Sequence, residues 1–235
     1  VEIAAVIDSR PKAPASDSFE VLAASEVVNT HGRLGLNSID VKTPQGLRQI
    51  QVSALGVSGG WTPNIHLTCH QRGRPEWDAG LSAFVPSADL PKALFVAGAA
   101  NGQMTTAAAI QDAVTTAMKI AKDCGRKPTS LAIPKTSDES ASITPFWYVT
   151  GTERGWVDQQ NDVTVKDIKL AHQENFISVE HLKRYTTLGM ATDQGKTSNV
   201  LGLAIMAHTA GQSIPDTGTT IYRPPYSPVA MGAFA

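Results

Sequence analysis

The sequence predicts an α/β region, then an extended linker, then a small all-α region. Short apolar runs bounded by turn residues, which are typical of strands, occupy much of residues 1–125. Residues 126–153 are rich in Pro, Ser and Thr and show no apolar period. In residues 154–235, apolar residues recur at helical spacing after residues that cap helices. We therefore expect three segments with these boundaries.

Strands and one long helix are predicted for the first segment. A turn signal at 43–46 separates two of the strands. In the helix, Ile110, Val114 and Met118 form one apolar stripe, and the helix should end near Gly125. The predicted strands are 2–8, 27–29, 36–41, 49–57 and 94–98.

Three helices are predicted for the last segment. The first two begin at a hydroxyl side chain that can accept a hydrogen bond from an amide of the first turn. Thr164 is followed three residues later by Asp167, which completes a capping pattern. The predicted helices are Val165–Gln173 after Thr164, 179–187 after Ser178, and one that Thr197 or Ser198 opens, with Val200, Leu203, Ala204 and Ala207 facing inward.

The composition is that of an ordinary globular protein. The chain has 235 residues, 42% of them hydrophobic and 17% charged, with a formal net charge of −1. This balance indicates neither a nucleic-acid partner nor an anionic membrane surface, and no apolar run is long enough to span a bilayer. Cys69 and Cys124 lie too far apart to suggest a disulfide framework, so we expect a reducing, cytoplasmic location.

Both ends of the chain suggest a fragment. It begins without Met in a strand-like run, and it stops at Ala235 in an apolar stretch rich in Gly and Pro. We therefore expect it to come from a longer polypeptide.

The turn between the last predicted strand and the long helix is a candidate nucleotide site. Its small residues let the backbone approach a phosphate or ribose, and a Thr at the helix start can donate a hydrogen bond. An acid at the end of the first strand could accept ribose hydroxyls, although no GxGxxG loop occurs. The alternative is a plain tight turn and an ordinary turn residue. The candidate residues are Gly98, Ala99, Ala100, Asn101, Thr105, Thr106 and Asp8.

The segment 183–198 has the composition of an anion-binding turn. It closes one helix, passes through a Gly-rich turn and opens another helix, so that unpaired N–H groups and a Lys face one small volume. A downstream Arg, stiffened by two prolines, can add a second positive charge. The alternative is a structural surface that docks a partner. The candidate residues are Arg184, Thr192, Gln194, Lys196, Thr197, Ser198 and Arg223.

A cluster of His66, Cys69 and His70 has the side chains but not the number of ligands for a metal site. Tetrahedral sites need four ligands, and no fourth lies nearby in the sequence. We interpret these residues as packed or surface side chains and expect no metal. No Ser-His-Asp or Cys-His arrangement is recognisable, so no catalytic residue is assigned.

Several runs of the chain resemble the large alpha subunit of heterotetrameric sarcosine oxidase. They cover most of the sequence, and the run starting at 178 is the most specific. They are Val-Ser-Gly-Gly-Trp-Thr-Pro-Asn-Ile-His-Leu at 57–67, Phe-Val-Ala-Gly-Ala-Ala-Asn-Gly at 95–102, Asp-Gln-Gln-Asn-Asp-Val-Thr at 158–164, Ser-Val-Glu-His-Leu-Lys-Arg-Tyr-Thr-Thr at 178–187, and Gly-Thr-Thr-Ile-Tyr-Arg-Pro-Pro-Tyr at 218–226.

The resemblance implies part of a two-dinucleotide-binding domain that holds NAD, here through Asp8 and 98–106. It also implies an FMN that is tethered to a beta subunit, with contacts from 183–198 and Arg223. FAD and sarcosine would bind the beta subunit, with gamma and delta subunits completing the complex, and tetrahydrofolate would bind an aminomethyltransferase-like domain absent from this chain. Sarcosine would be demethylated to glycine, giving hydrogen peroxide and formaldehyde or methylene-tetrahydrofolate. The fragment alone should be inactive.

The last segment also resembles a small helical domain that carries a 2Fe–2S cluster in related subunits. The four cysteine positions of that domain fall on Asp158, Gln160, Asp193 and Ser198. Such clusters are held by thiolates, so we expect no iron–sulfur cluster. The vacated turn suits a flavin phosphate, and the alternative is a structural relic.

Two other functions remain open. The chain could belong to a dehydrogenase for an opine or another secondary amine, which passes electrons onward instead of to oxygen. It could also be a non-catalytic interaction module whose nucleotide sites are vestigial.

Overall fold

The computed structural model describes residues 2–129, 131–137, 140–151, 154–227 and 229–234. Contacts group the chain into two compact units. The first joins Val1–Gly60 to Thr144–Gly155, and the second joins Trp61–Ile143 to Trp156–Ala235. The three consecutive segments predicted from the sequence differ from these two units, each of which joins two separate stretches of chain. The predicted domain boundaries stay a prediction. Residues 130, 138–139 and 152–153 of the predicted linker lie outside the described part.

The first unit opens with a short parallel strand pair. β1 (Val6–Ile7) pairs with β2 (Val21–Leu22), and Asp8 follows β1 directly. The predicted strand at 2–8 is therefore confirmed only in its last part. The described residues contain both strands and helices, so the α/β class holds at a coarse level. They contain one parallel strand pair, and a dinucleotide-binding sheet therefore remains a prediction.

A three-stranded antiparallel sheet with one buried face follows in the same unit. Its strands are β3 (Glu26–His31), β4 (Ser38–Thr43) and β5 (Gly46–Gln51), in that order. Ile39 and Val41 of β4 are fully buried, whereas Asp40 between them accepts a hydrogen bond from Gln49 on the other face. This alternation fixes the register of the sheet.

Two strand predictions were wrong in extent or kind. The strand predicted at 49–57 ends at Gln51, because Gln51 pairs with Ser38, the first residue of β4, and no strand continues beyond it. The strand predicted at 94–98 does not form. Ala97 has extended dihedral angles, but no described strand pairs with this run, and Gly98 already begins a 3-10 helix.

The second unit carries all the helices of the described residues. Two small antiparallel hairpins, at 76–85 and 156–164, accompany them. In chain order the elements are a 3-10 helix (His66–Arg72), β6 (Glu76–Asp78), β7 (Ala83–Val85), a 3-10 helix (Gly98–Asn101), α1 (Thr106–Asp123), β8 (Trp156–Asp158), β9 (Val163–Thr164), α2 (Val165–Gln173), α3 (Val179–Thr186), α4 (Asn199–Ala210), α5 (Ile214–Thr217) and a 3-10 helix (Met231–Phe234).

The caps predicted for α2 and α3 are confirmed. The Thr164 hydroxyl accepts the Asp167 amide while the Asp167 carboxylate accepts the Thr164 amide, which completes a capping box. The Ser178 hydroxyl accepts the His181 amide. These local bonds set the start of each helix independently of its packing.

Helix α4 is more deeply buried than its predicted stripe. Every residue from 202 to 207 is buried, so the helix is apolar all round. It forms the centre of residues 154–235, which we call the helical part. Gly202 is needed there, because a Cβ at this position would lie 2.5 Å from Leu188 Cδ2. Helix α1 differs: none of its residues is buried, and Met118 of its predicted stripe is exposed.

One core cluster joins the region before α1 to the helical part. Ile65, Phe84 and Leu203 are buried together, with Trp77 and Tyr222 packed against them. Residues 61–85 therefore share a core with α4, which the sequence pattern did not predict. No helix among the described residues is long and apolar enough to cross a membrane.

The central position of α4 leads to a stability prediction. Ile205→Ala should lower the free energy of unfolding by about 2–5 kcal/mol, because the side chain is 0% exposed and its loss leaves a cavity. Leu170→Ala, at a residue 45% exposed on α2, is the matched control and should cost clearly less. Urea unfolding of both variants tests this, and equal losses would contradict the central role of α4.

Candidate functional site

Asp158 and Gln160, two of the four residues expected at cluster positions, are held by hydrogen bonds. Asp158 is 3% exposed, and its Oδ1 accepts the amides of Gln160 at 2.9 Å and Asn161 at 3.3 Å. Its Oδ2 accepts the Gly189 amide at 2.9 Å, across 31 residues of sequence. The Gln160 side-chain oxygen accepts the Thr192 hydroxyl at 3.2 Å. The carboxylate thus fastens the β8–β9 turn to the loop after α3.

Asn199 fills the space between the two glycines of this loop. A Cβ at Gly189 or Gly195 would lie 2.4 Å or 2.2 Å from Asn199 Oδ1, and both glycines have positive φ. The Asn199 amide nitrogen donates to the Gln194 carbonyl and to the Thr220 hydroxyl, each at 3.2 Å. The loop therefore closes around a side chain of α4.

The turn predicted to cradle an anion already contains a carboxylate. Asp193, the third of the residues expected at cluster positions, accepts the Gly195 amide at 3.0 Å and the Thr197 hydroxyl at 3.2 Å. Ser198, the fourth, is 1% exposed, and its hydroxyl has no partner among the described residues. An external phosphate at this turn would face the negative charge of Asp193.

Gln194 and Lys196 hold a second segment in place. The Gln194 side chain donates to the carbonyls of Arg223 at 2.7 Å and Pro225 at 3.0 Å, and it accepts the Arg223 amide at 2.9 Å. The Lys196 ammonium donates to the Tyr226 carbonyl at 3.1 Å. These two predicted ligands instead fix the backbone of 223–226, which we call the clamped turn.

The clamped turn forms one wall of a pocket of about 330 Å³, and the 3-10 helix His66–Arg72 with the residues just after it forms the other. The pocket is open and combines guanidinium groups with aromatic and aliphatic surface. Its lining residues are Cys69, His70, Arg72, Arg74, Ile221, Tyr222, Arg223, Pro224 and Tyr226.

Burial at this pocket favours the uncharged forms of His66, Cys69 and Tyr222. Burial, and then the charge of Lys196, lower the pKa of His66, whose ring lies 5.3 Å from that of Tyr226. Burial raises the pKa of the Cys69 thiol, and it raises the pKa of Tyr222 to about 12. At neutral pH the Cys69 thiol and the Tyr222 hydroxyl therefore keep their protons, and three arginines give the lining permanent positive charge.

A carboxylate of the chain itself already accepts hydrogen bonds from the candidate turn at 98–106. Asp112 of α1 accepts the Gly98 amide at 2.9 Å and the Asn101 side chain at 3.3 Å. Ala99 and Ala100 lie within the short 3-10 helix. The Thr105 hydroxyl caps α1 by accepting the Ala108 amide, and Thr106 is the first residue of that helix.

The two remaining predicted residues form local ion pairs. The Arg10 guanidinium donates to Asp8 at 2.9 Å, and this bond lowers the pKa of the Asp8 carboxyl. Arg184 lies on the exposed surface of α3, where it bonds the Glu180 carbonyl at 2.9 Å and approaches its carboxylate at 3.4 Å. Arg184 does not line the pocket.

Sequence reasoning missed the arginines of the pocket. Arg72 and Arg74 flank Gly73 in a short basic run, Gln-Arg-Gly-Arg at 71–74, and this run was the available signal. The run was overlooked because Arg223, which lines the same pocket, is remote from it in the sequence. Within the described residues no group of three or more His, Cys, Asp or Glu could hold a metal ion.

The helical part of the chain matches a known protein family. Residues 152–235 match the family model described as the sarcosine oxidase A3 domain. The matched residues include Asp158, Gln160, Asp193 and Ser198, the clamped turn and the 183–198 segment.

The relationship extends over the whole chain. The alpha subunit of sarcosine oxidase from Rhizobium meliloti (strain 1021) is 39% identical over 238 residues, which cover 99% of this chain and 24% of that protein. The chain is therefore homologous to a segment of sarcosine oxidase alpha subunits and spans about a quarter of the length of these curated relatives. The resemblance found in the sequence is confirmed.

Two more distant similarities are informative. An opine oxidase subunit of the same organism is 23% identical over 80% of this chain and 44% of its own length. L-proline dehydrogenase from P. horikoshii has a similar structure, with a TM-score of 0.73 and 18% identity, over 99% of this chain and 49% of that chain. At this identity the second similarity shows the fold alone.

The side chains at the four expected cluster positions predict an absence of iron. Iron and acid-labile sulfide assays on the intact subunit should be blank, because Asp158, Gln160, Asp193 and Ser198 supply no thiolate. Stoichiometric iron and sulfide in the purified subunit would overturn this expectation.

The packing of Asn199 predicts an unequal effect of two glycine substitutions. Gly195→Ala should destabilise the helical part by about 3–5 kcal/mol, because it adds the cost of a left-handed alanine to the displacement of a hydrogen-bonded side chain. Gly211→Ala has a similar φ but open space around it, and it should cost only about 1–2 kcal/mol. Thermal unfolding of the pair checks this, and similar melting temperatures would argue against the packing described.

Proposed function

We propose that this chain is a segment of an oxidase subunit that supports the oxidative demethylation of sarcosine within a multi-subunit complex. The 39% identity to a sarcosine oxidase alpha subunit over 99% of the chain is the observation that carries the proposal. The products are glycine, hydrogen peroxide, and formaldehyde or methylene-tetrahydrofolate. We assign no base or nucleophile among the described residues, and we propose that the chain binds and positions and is inactive by itself.

The pocket beside the clamped turn is the proposed contact with FMN, which is shared with the beta subunit. Its donor set fits a flavin phosphate, since arginine guanidinium groups recognise phosphate oxygens and the neighbouring tyrosines supply apolar surface. The flavin, when bound, supplies the hydride chemistry. Arg223 contributes positive charge, while Gln194 and Lys196 orient the turn that carries it.

NAD binding remains a second, weaker element of the proposal. Small residues at 98–101 allow close approach of a nucleotide, but an entering phosphate would meet the Asp112 carboxylate. Asp8 would have to exchange Arg10 for ribose hydroxyls. We therefore propose weak binding at these residues.

The remaining parts of the complex follow from the proposed family function. Beta, gamma and delta subunits would be the partners, with FAD on the beta subunit and tetrahydrofolate on a separate domain, in the cytoplasm. The similarity to an opine oxidase subunit favours one alternative, a role in the oxidation of another secondary amine. Steady-state assays of the intact complex with sarcosine and with an opine discriminate between the two.

The FMN proposal predicts that Arg223→Ala lowers FMN incorporation. During assembly of the full complex, before the tether forms, the variant should take up FMN about tenfold more weakly, because a charge-assisted phosphate contact is lost. Lys122→Ala removes one positive charge from the exposed end of α1 and serves as the control. The readout is the flavin that stays on the protein after denaturation has released the FAD. Unchanged FMN content in a normally assembled Arg223→Ala complex would refute the contact.

A further inference from the structure

We propose that Arg72 and Arg74, on the wall opposite the clamped turn, form with Arg223 a binding site for a phosphate monoester. This assignment deepens the proposed function. That the phosphate monoester is the phosphate of FMN rests on the proposed function. The anion site itself rests on the geometry and charge of the pocket.

The three guanidinium groups come from two separate parts of the chain. Arg72 ends the first 3-10 helix, Arg74 lies two residues further on, and Arg223 lies about 150 residues downstream. All three residues are exposed and line the same pocket. Positive charges brought together from distant segments repel one another, so an anion between them lowers the electrostatic free energy of the pocket.

Each wall is held by contacts that do not use these charges. Gly73 lies so close to the preceding turn that a Cβ would be 1.9 Å from the Thr68 carbonyl oxygen, and its amide donates to the His70 carbonyl at 3.1 Å. The opposite wall is fixed by Gln194 and Lys196. The arginine side chains are therefore placed by backbone geometry and left available for a ligand.

No internal acid neutralises the three arginines. Across the described residues, the guanidinium groups of Arg72, Arg74 and Arg223 form no ion pair and no hydrogen bond, and Arg223 is bonded only through its backbone. Glu76 and Asp89 line a neighbouring depression that Arg72 and Arg74 also border, but no carboxylate lines the pocket itself. This distinguishes the pocket from the turns filled by Asp112 and Asp193.

A polar group without a partner belongs to one of the lining residues. Tyr226 lines the pocket, and its buried hydroxyl has no hydrogen-bond partner among the described residues. The neighbouring His66 Nδ1 is likewise buried without a partner in the described part of the chain. Burial raises the pKa of Tyr226, so its hydroxyl is a donor at neutral pH.

Size and lining define the class of ligand. A volume of about 330 Å³ exceeds what a bare phosphate requires and lies at the lower end for small-molecule sites. Tyr222, Ile221 and Pro224 provide apolar surface next to the charges. The pocket therefore suits the phosphate end of a larger organic molecule, and arginine pairs favour the planar, two-point contact that phosphate oxygens offer.

Binding of inorganic phosphate to the flavin-free, full-length subunit tests the site. Phosphorus NMR line broadening, at an ionic strength held constant with chloride, gives the affinity. Arg74→Gln should weaken phosphate binding about tenfold, and the Arg72→Gln/Arg74→Gln double variant about a hundredfold. Arg126→Gln, at an exposed arginine after α1, is the charge-matched control and should change nothing. Arg74→Lys keeps the charge without the fork and should fall between wild type and Arg74→Gln.

The outcomes separate this site from the flavin assignment. Displacement of phosphate by FMN but not by riboflavin supports both. Saturable phosphate binding that the arginine variants weaken, with no competition by FMN, supports the site and refutes the flavin as its ligand. Absence of phosphate binding to the wild-type subunit, or equal binding to wild type and the double variant with native circular dichroism, overturns the site even if the complex contains FMN.

Discussion

The helical part of the chain depends on one buried carboxylate. Asp158 accepts three backbone amides, and one of them, from Gly189, lies 31 residues away. A buried carboxylate is costly unless its oxygens are hydrogen bonded, and here both oxygens have backbone donors. This single group joins the β8–β9 turn to the loop that wraps Asn199. That loop in turn carries Gln194 and Lys196, which shape one wall of the arginine pocket.

Internal acids decide where an external anion can bind. Asp158, Asp193 and Asp112 each accept amides in turns whose sequences suggest ligand binding. An amide satisfied by a neighbouring carboxylate is a poor phosphate donor, because the carboxylate must first be displaced. The pocket between Arg72, Arg74 and Arg223 has no such acid in its lining. This distribution of charge favours the arginine pocket over the Gly-rich turn as the place where an anion binds.

Features that depend on interactions between sequence neighbours could be predicted, whereas features that depend on remote contacts could not. The start of α2 follows from Thr164 and Asp167, which interact within four residues, and was predicted correctly. The strand expected at 94–98 failed, because an apolar run becomes a strand only where another strand pairs with it. Lys196 was predicted to bind a phosphate, but its ammonium bonds the Tyr226 carbonyl. Arg72 and Arg74 went unnoticed, since Arg223 is remote in sequence and only the folded chain brings the three together.

Amide hydrogen exchange at Gly189 tests the role of Asp158 most directly. The Gly189 amide should exchange as slowly as that of Ile205 in the centre of α4, because its release requires the buried carboxylate to lose its bond. In Asp158→Asn the protection of Gly189 should fall by more than about tenfold while α4 remains protected, since a neutral acceptor binds an amide more weakly. If Gly189 exchanges in the wild-type protein as fast as the exposed Gly59, the carboxylate does not hold the loop.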